Sequence, residues 1–282
     1  MTTTRSAIGE ASRLLAAAGA RMPAVDAAAL AAHAWGTTPD GLTELLDQAI
    51  PEIYWRFVDR RIAREPVERI TGVAVFGGHS FEVHRDVFVP KPETEVLVGL
   101  ALDYLAGLGS AAPRVVDLCT GSGVVAISIA RSSPGARVYG ADLSQIACDL
   151  SRRNAAGLDV QFECADAAVA FPHLDGTVNL VAANPPYFPA DREVRLPEVR
   201  DHDPGLALWA GTDGLDVIRS VERAARRLLV PGGLVLVEHG AYQVGEVIRL
   251  FSEAASWAGV EDHQVDPTDR TVNYSVLAAR RS

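Results

Sequence analysis

The sequence predicts an α/β domain with a mostly parallel sheet, preceded by a small helical bundle and joined to it by a β-hairpin. Three observations carry this. From Arg114 onward, short apolar runs alternate with helical patterns, the signature of a parallel sheet covered on both faces. Before Glu65, alanine is dense and apolar residues recur at helical spacing. Between the two, a pair of β-prone runs flanks Gly77-Gly78.

In the bundle, Leu14, Leu15 and Ala18, then Val25, Ala28 and Ala29, keep the helical period. Breaks fall at Gly19, at Gly36-Thr37-Thr38-Pro39 and at Ile50-Pro51, and Thr38 or Asp40 can cap the third helix. Four or five short helices result, serving either as a packing cap or as a docking surface for a macromolecular partner. Residues 70–83 then read as the hairpin connector. The expected boundaries are 1–66, 67–90 and 91–282. In the third part, strands are expected at 114–119, 137–142, 160–164, 178–183 and 233–239. Helices are expected at 124–131, 144–155, 213–229 and 242–258. Residues 271–278 read as a last strand that pairs with 260–265 and need not be parallel.

Composition narrows the class. The 48% hydrophobic content suffices for a globular core, and 282 residues suggest roughly two domains. The longest apolar runs fall far short of the ~20 residues of a membrane span. The start lacks a secretory pattern, and Cys119, Cys148 and Cys164 form no disulfide framework, so a reducing cytoplasm is expected. The seven histidines show no metal-ligand spacing, so no metal is expected. A net charge of −10, with arginines interleaved with acids as in Arg60-Arg61-Ile62-Ala63-Arg64-Glu65, argues against nucleic acid as the main substrate.

Two segments carry chemistry. Val115-Val116-Asp117-Leu118-Cys119-Thr120-Gly121-Ser122-Gly123 gives strand, tight turn and helix start in order. Gly121 and Gly123 let backbone approach a ligand. Asp142 ends the next strand, where a carboxylate accepts ribose hydroxyls. Together these describe a site for an adenosine-containing cofactor. A dinucleotide remains open, with Ala126 as the third small residue. So does S-adenosylmethionine, with Asp117 pairing its α-ammonium. Asp166 follows the third strand and either bonds an adenine amine or caps a turn.

The second segment is Asn184-Pro185-Pro186-Tyr187, which closes the fourth strand. The Asn184 side-chain oxygen and the Pro185 carbonyl can accept the two N–H bonds of a planar –NH2 group. The prolines hold that carbonyl in place, and Tyr187 can lie flat against the planar group. Preorganised acceptors would stabilise the positive charge that develops on nitrogen as a methyl group arrives.

Over nearly its whole length the chain resembles the peptide chain release factor glutamine methyltransferases. The matching segments are Arg64-Glu65-Pro66, Ile70-Thr71-Gly72, Pro90-Lys91-Pro92-Glu93-Thr94-Glu95, the turn after Asp117 and Asn184-Pro185-Pro186-Tyr187. Later ones are Asp203-Pro204-Gly205, Gly211-Thr212-Asp213-Gly214, Pro231-Gly232-Gly233, Glu238 and Gln243. The Pro-x-Pro-Glu-Thr-Glu segment separates this family from the DNA amino-methyltransferases, which share only the Asn-Pro-Pro-Tyr corner.

The resemblance implies a Rossmann-like class I methyltransferase domain with a mostly parallel seven-stranded sheet. It implies methyl transfer from S-adenosyl-L-methionine to the side-chain nitrogen of the glutamine in the Gly-Gly-Gln loop of release factors. A monomer in the cytoplasm, with no stable nucleic-acid or membrane partner, is expected. Pro90, Thr94, Asp117, Cys119, Thr120, Gly121, Ser122, Gly123, Asp142, Leu143, Asp166, Ala167 and Asn184 would hold the cofactor. Asn184, Pro185 and Tyr187 would act in catalysis, and these with Pro186 would bind substrate. The alternatives are an amino-methyltransferase of a nucleic-acid base and a non-catalytic binding module. Two departures stand out: Lys91 replaces the family's arginine, and the segment 266–273 differs from the family pattern.

Overall fold

The computed structural model describes residues 2–264 and 274–282. The chain forms two compact units, Met1–Val73 with Val194–His202, and Ala74–Glu193 with Asp203–Ser282.

The first unit contains α1 (Thr4–Ala17), α2 (Pro23–Trp35), α3 (Ile53–Ile62) and α4 (Val67–Thr71). Thr3 caps α1 by accepting the Ser6 N–H, and Pro23 occupies the first turn of α2. Small side chains form the seam: Ala7, Ala11 and Leu15 meet Ala27, Leu30 and Ala31, with Tyr54, Val58 and Ile70 completing the core. The buried Tyr54 hydroxyl donates to the Ala27 carbonyl at 3.2 Å, so its polar end is satisfied. Residues 70–72, expected in the hairpin, instead end α4. Pro66 opens this helix, its carbonyl accepting the Ile70 N–H at 3.1 Å, and left-handed Gly72 closes it.

The second unit begins at Ala74, within β1 (Val73–Phe76), and continues with β2 (His79–Glu82), then α5 (Glu95–Gly107), which follows a single 3-10 turn at Pro92–Thr94. The doubly wound part runs β3 (Arg114–Leu118), α6 (Val124–Ser132), β4 (Arg137–Asp142), α7 (Gln145–Asn154), β5 (Val160–Cys164) and β6 (Val178–Ala183). After α8 (Pro197–Arg200), which the chain contributes to the first unit, come α9 (Asp216–Leu228), β7 (Leu229–Gly240), α10 (Val244–Glu253), β8 (Trp257–Gln264) and β9 (Tyr274–Arg281). The seven-stranded sheet has the order β5-β4-β3-β6-β7-β9-β8, with β9 antiparallel to both neighbours. This is the expected mostly parallel Rossmann-like sheet.

Alternation along each strand splits the core. Val116, Leu118, Val181 and Ala183 face α9 and α10, whereas Val115, Leu180 and Ala182 face α5, α6 and the hairpin. The helix expected over 242–258 is shorter, because the chain turns at Ala254 and Trp257 opens β8. The expected start of the last strand, 271–273, lies outside the described residues.

Within the first unit, Glu198 of α8 accepts from Arg61 at 3.0 Å and from Arg64 at 2.8 Å. Arg61, 6% exposed, also donates to Asp26 at 2.8 Å. Arg64 of the Arg-Glu-Pro motif is thus a structural cation, paired and hydrogen-bonded as burial demands.

Candidate active site

Strand register assembles the site. Leu118 pairs with Ala141 on one side and Ala183 on the other, and Ala183 pairs with Val237. The residues that follow these four, Cys119, Asp142, Asn184 and Glu238, therefore begin side by side at the carboxyl edge of the sheet. The sheet order reverses here, at β3, where ligands bind in open α/β sheets.

Asp117 lies buried beneath the glycine-rich turn. Its Oδ2 accepts from the Thr120 hydroxyl at 2.6 Å and from the Ala126 N–H at 3.1 Å. Ala126 is the third residue of α6, so a carboxylate already caps the helix start that a pyrophosphate would need. Burial pushes the Asp117 carboxyl up to about 7, the Thr120 and Ala126 hydrogen bonds pulling the other way. Asp142 accepts the Gly121 N–H on one oxygen and the Ser144 N–H on the other, both at 2.9 Å.

Asp142, Asp117 and Asp166 all act on Cys119, whose thiol is held well above its usual range by burial and then by these three carboxylates. Such a pocket repels a dinucleotide's phosphates and suits a cation. S-Adenosyl-L-methionine carries two, a sulfonium and an α-ammonium. The turn also has room for it: a Cβ on Gly121, at φ +57°, would meet nothing within 4 Å. Gly123 is also required for packing, since a Cβ there would strike Ile127 at 2.9 Å and Ser151 at 3.1 Å. Its bareness lets α6 pack against α7.

Cys119 itself holds φ +61°, a left-handed conformation that suits glycine. Cys119→Gly should therefore be about 1 kcal/mol more stable than Cys119→Ala, reversing the usual order, as measured by urea unfolding of the two variants. Equal stabilities would show that the backbone relaxes out of this conformation.

At the corner, Asn184 Nδ2 donates to Thr94 Oγ1 at 3.1 Å. Glu238, 3% exposed, stands beside both. Burial raises its carboxyl to about 7, while hydrogen bonds from Thr94 and Asn184 draw it back down. Thr94 Oγ1 and Glu238 both accept from the amide, so the –NH2 side of Asn184 is engaged and its Oδ1 is left for another donor. Neither Asn184 Oδ1 nor the buried Pro185 carbonyl receives a hydrogen bond from the described residues. Both remain available to two N–H groups of a substrate, with Pro186 half-buried beside them.

Glu238 carries a pH signature. Its folded value lies above the ordinary glutamate value of 4.5, so between pH 4.5 and 7 the folded state holds a proton that the unfolded chain has lost. Its contribution is fully present below pH 4.5 and is lost as pH rises through 7. Glu238→Gln should remove up to about 3 kcal/mol of the loss in stability between pH 5 and 8. Denaturant titrations at the two pH values, with an unchanged difference in the variant, would contradict the assignment.

Tyr187 differs from the expected flat wall. Its ring is 8% exposed and packs edge-on against Phe188 and Tyr274, with centroids at 5.3 and 6.3 Å. Burial holds its phenol well above the usual range, with Tyr274, Glu238, Tyr242 and Glu93 adding to the shift. It is therefore no base at neutral pH and instead braces the corner. Gly214 is wedged behind it, where a Cβ would meet the Tyr187 carbonyl at 2.4 Å. Gln243 donates to the Asp213 carbonyl at 3.2 Å, so these two family-like residues are scaffolding.

Of the other expected cofactor residues, Thr120 and Ser122 are buried in the turn and Leu143 is 58% exposed beside Asp142. Asp166 caps its own turn by accepting the Ala168 N–H at 2.8 Å, and Ala167 is buried behind it. Thr94 is committed to Asn184, and Pro90 is half-buried two residues before the Pro92–Thr94 turn. Lys91, in place of arginine, reaches Asp203 by one 3.9 Å contact rather than a fork. Tyr242 and Tyr274 escaped the sequence reading. Tyr242 donates to the Tyr187 carbonyl at 3.0 Å. Tyr274 enters only through the antiparallel pairing of Gly240 with it. The segment 266–273 lies outside the described residues.

Comparison with known proteins fits this geometry. Residues 115–202 match the methyltransferase domain family and residues 6–72 the PrmC N-terminal domain. A solved T. Thermophilus 16S rRNA N2 G1207 methyltransferase shares the fold, with a TM-score of 0.52 and 19% identity over 74% of this chain and 50% of that one. The 4-amino-L-phenylalanine/4-methylamino-L-phenylalanine methyltransferase of Streptomyces pristinaespiralis is 48% identical, covering 91% of this chain and 89% of its own. The release factor glutamine methyltransferase of Streptomyces coelicolor is 46% identical, covering 91% and 92%. With a cation-suited turn beside an inward-anchored asparagine, and with such relatives over almost its full length, the chain belongs to the release factor glutamine methyltransferase family.

Proposed function

We propose that this enzyme transfers a methyl group from S-adenosyl-L-methionine to the side-chain amide nitrogen of the glutamine in the Gly-Gly-Gln loop of peptide chain release factors. The observation that carries it is the anchored amide of Asn184, donating to Thr94 at 3.1 Å beside Glu238. Asp117, Asp142 and the turn 119–123 would hold the cofactor, which when bound would supply an electrophilic sulfonium methyl. Asn184 Oδ1 and the Pro185 carbonyl orient the acceptor –NH2 so that its lone pair faces that methyl. An amide lone pair is delocalised, so positive charge grows on nitrogen as the bond forms. The two acceptors, with Glu93 and Glu238 behind them, stabilise that charge. The proton leaves to water once the nitrogen has become acidic. We further propose that the enzyme works as a cytoplasmic monomer without a stable nucleic-acid partner. Among the described residues no helix is long and apolar enough to cross a membrane.

A second reading is supported by the Streptomyces pristinaespiralis relative. An aniline –NH2 is also planar and also conjugated, and the same two acceptors suit it. One experiment separates the readings. Labelled S-adenosyl-L-methionine is supplied with a release factor carrying Gln or Ala in its Gly-Gly-Gln loop, and separately with 4-amino-L-phenylalanine. Label on the Gln protein alone supports the first reading. Label on the amino acid and on neither protein replaces it with the second, and equal labelling of both proteins defeats it.

A further inference from the structure

One cation near the corner is left unused by this chemistry. Arg192 sits over the Tyr242 ring, its guanidinium carbon 3.7 Å from the centroid, and 5.2 Å from that of Phe188. It is half-buried, and among the described residues its guanidinium meets no carboxylate and no carbonyl. This is unlike Arg152, Arg153, Arg219 and Arg227 of the same unit, each of which faces an acid.

Its platform is rigid and continuous with the acceptor corner. Tyr242 is tied by its hydroxyl to the Tyr187 carbonyl at 3.0 Å. Phe188 is clamped at both ends: its N–H donates to Leu208 at 2.8 Å, and its carbonyl accepts from Ala210 at 2.9 Å. The backbone of Arg192 is itself held by its N–H bond to Pro189 at 3.0 Å. A guanidinium stacked on a ring spends its face on the aromatic and keeps its N–H edge for in-plane acceptors. The ligand that matches this edge with two parallel bonds is a carboxylate.

We propose that Arg192 is a specificity residue that receives a carboxylate of the methyl acceptor. The inference rests on the proposed methyl transfer at Asn184 and adds the second point by which the acceptor is held. The carboxylate has two possible sources, an acidic side chain of a release factor or the α-carboxylate of a free aromatic amino acid.

The test uses the full-length enzyme with Arg192→Met, which keeps the stem, and Arg192→Lys, which keeps the charge without the fork. Methylation is measured on a release factor, on 4-amino-L-phenylalanine and on the carboxamide of that amino acid. Arg192→Met should raise KM by about 10-fold or more for the acceptor the wild type uses, with kcat and the cofactor's Kd unchanged, and Arg192→Lys should recover only part. A rise with the release factor assigns the carboxylate to that protein. A rise with the amino acid, absent with its carboxamide, assigns it to the α-carboxylate. An unchanged KM on an acceptor that the wild type methylates overturns this inference alone. A wild type that methylates neither acceptor overturns the proposed function together with it.

Discussion

Asn184→Ala should lower kcat about 10²–10³-fold while leaving the cofactor's Kd within about threefold of wild type. In the proposed arrangement the amide is the acceptor for the reacting nitrogen, whereas Asp117, Asp142 and the turn after β3 would hold the cofactor. Asn184→Asp is the sharper companion. It keeps an oxygen at the acceptor position but places a second carboxylate against buried Glu238, so the inward –NH2 bond to Thr94 is lost. If the inward anchor matters, the aspartate variant should be nearly as slow as the alanine variant, with its activity improving as pH falls. Single-turnover methylation, with cofactor affinity measured by calorimetry, checks both. A kcat within a few fold of wild type for Asn184→Ala would remove Asn184 from the mechanism.

The second large effect belongs to Asp117→Ala. Two buried donors, the Thr120 hydroxyl and the Ala126 N–H, would lose their acceptor. The cost is about 1–3 kcal/mol of stability. Cofactor affinity should fall about 10- to 100-fold, as a charge-assisted bond to the α-ammonium disappears. The pH dependence adds a signature. With the carboxyl at about 7, wild-type affinity should strengthen as pH rises from 6 to 8, since ionised Asp117 is the form that pairs with a cation. In the alanine variant that dependence should vanish. A phosphate-bearing ligand would behave in the opposite sense, binding tighter once the carboxylate capping α6 is gone. Calorimetric titration of both proteins at pH 6 and pH 8 decides between them.

Residues at the ends of parallel strands were legible in the sequence, because an apolar run followed by a polar residue marks a strand end without any knowledge of its neighbours. Asp142 and Asn184 were found in this way, and the structure brings both to one edge. Glu238 stood out only as a match to the family, since its purpose depends on β7 lying beside β6 in one register. Tyr274 and Tyr242 were not legible. One arrives on an antiparallel strand whose pairing no local pattern specifies, and the other on a short turn that reads as the start of a helix. The packing role of Gly123 is not legible for a related reason. A glycine beside a ligand and a glycine beside a packed helix look alike until the facing side chains, here Ile127 and Ser151, are known. The hairpin was legible from Gly77-Gly78. Its boundary was not, because the β-prone residues Ile70 and Thr71 serve α4 once Pro66 and Gly72 bracket them.

The position of β9 bears on how the protein is made. This strand lies inside the sheet, between β7 and β8, although its residues are synthesised after both. Until positions 274–281 have emerged from the ribosome, β7 presents an unpaired apolar edge running from Leu234 to Val237. Such edges invite association with other chains. Glu238 and the Asn184 anchor also lack their final wall during that interval. Completion of the catalytic edge thus waits for β9, and a nascent chain stalled before it would be prone to aggregate and unable to orient its asparagine.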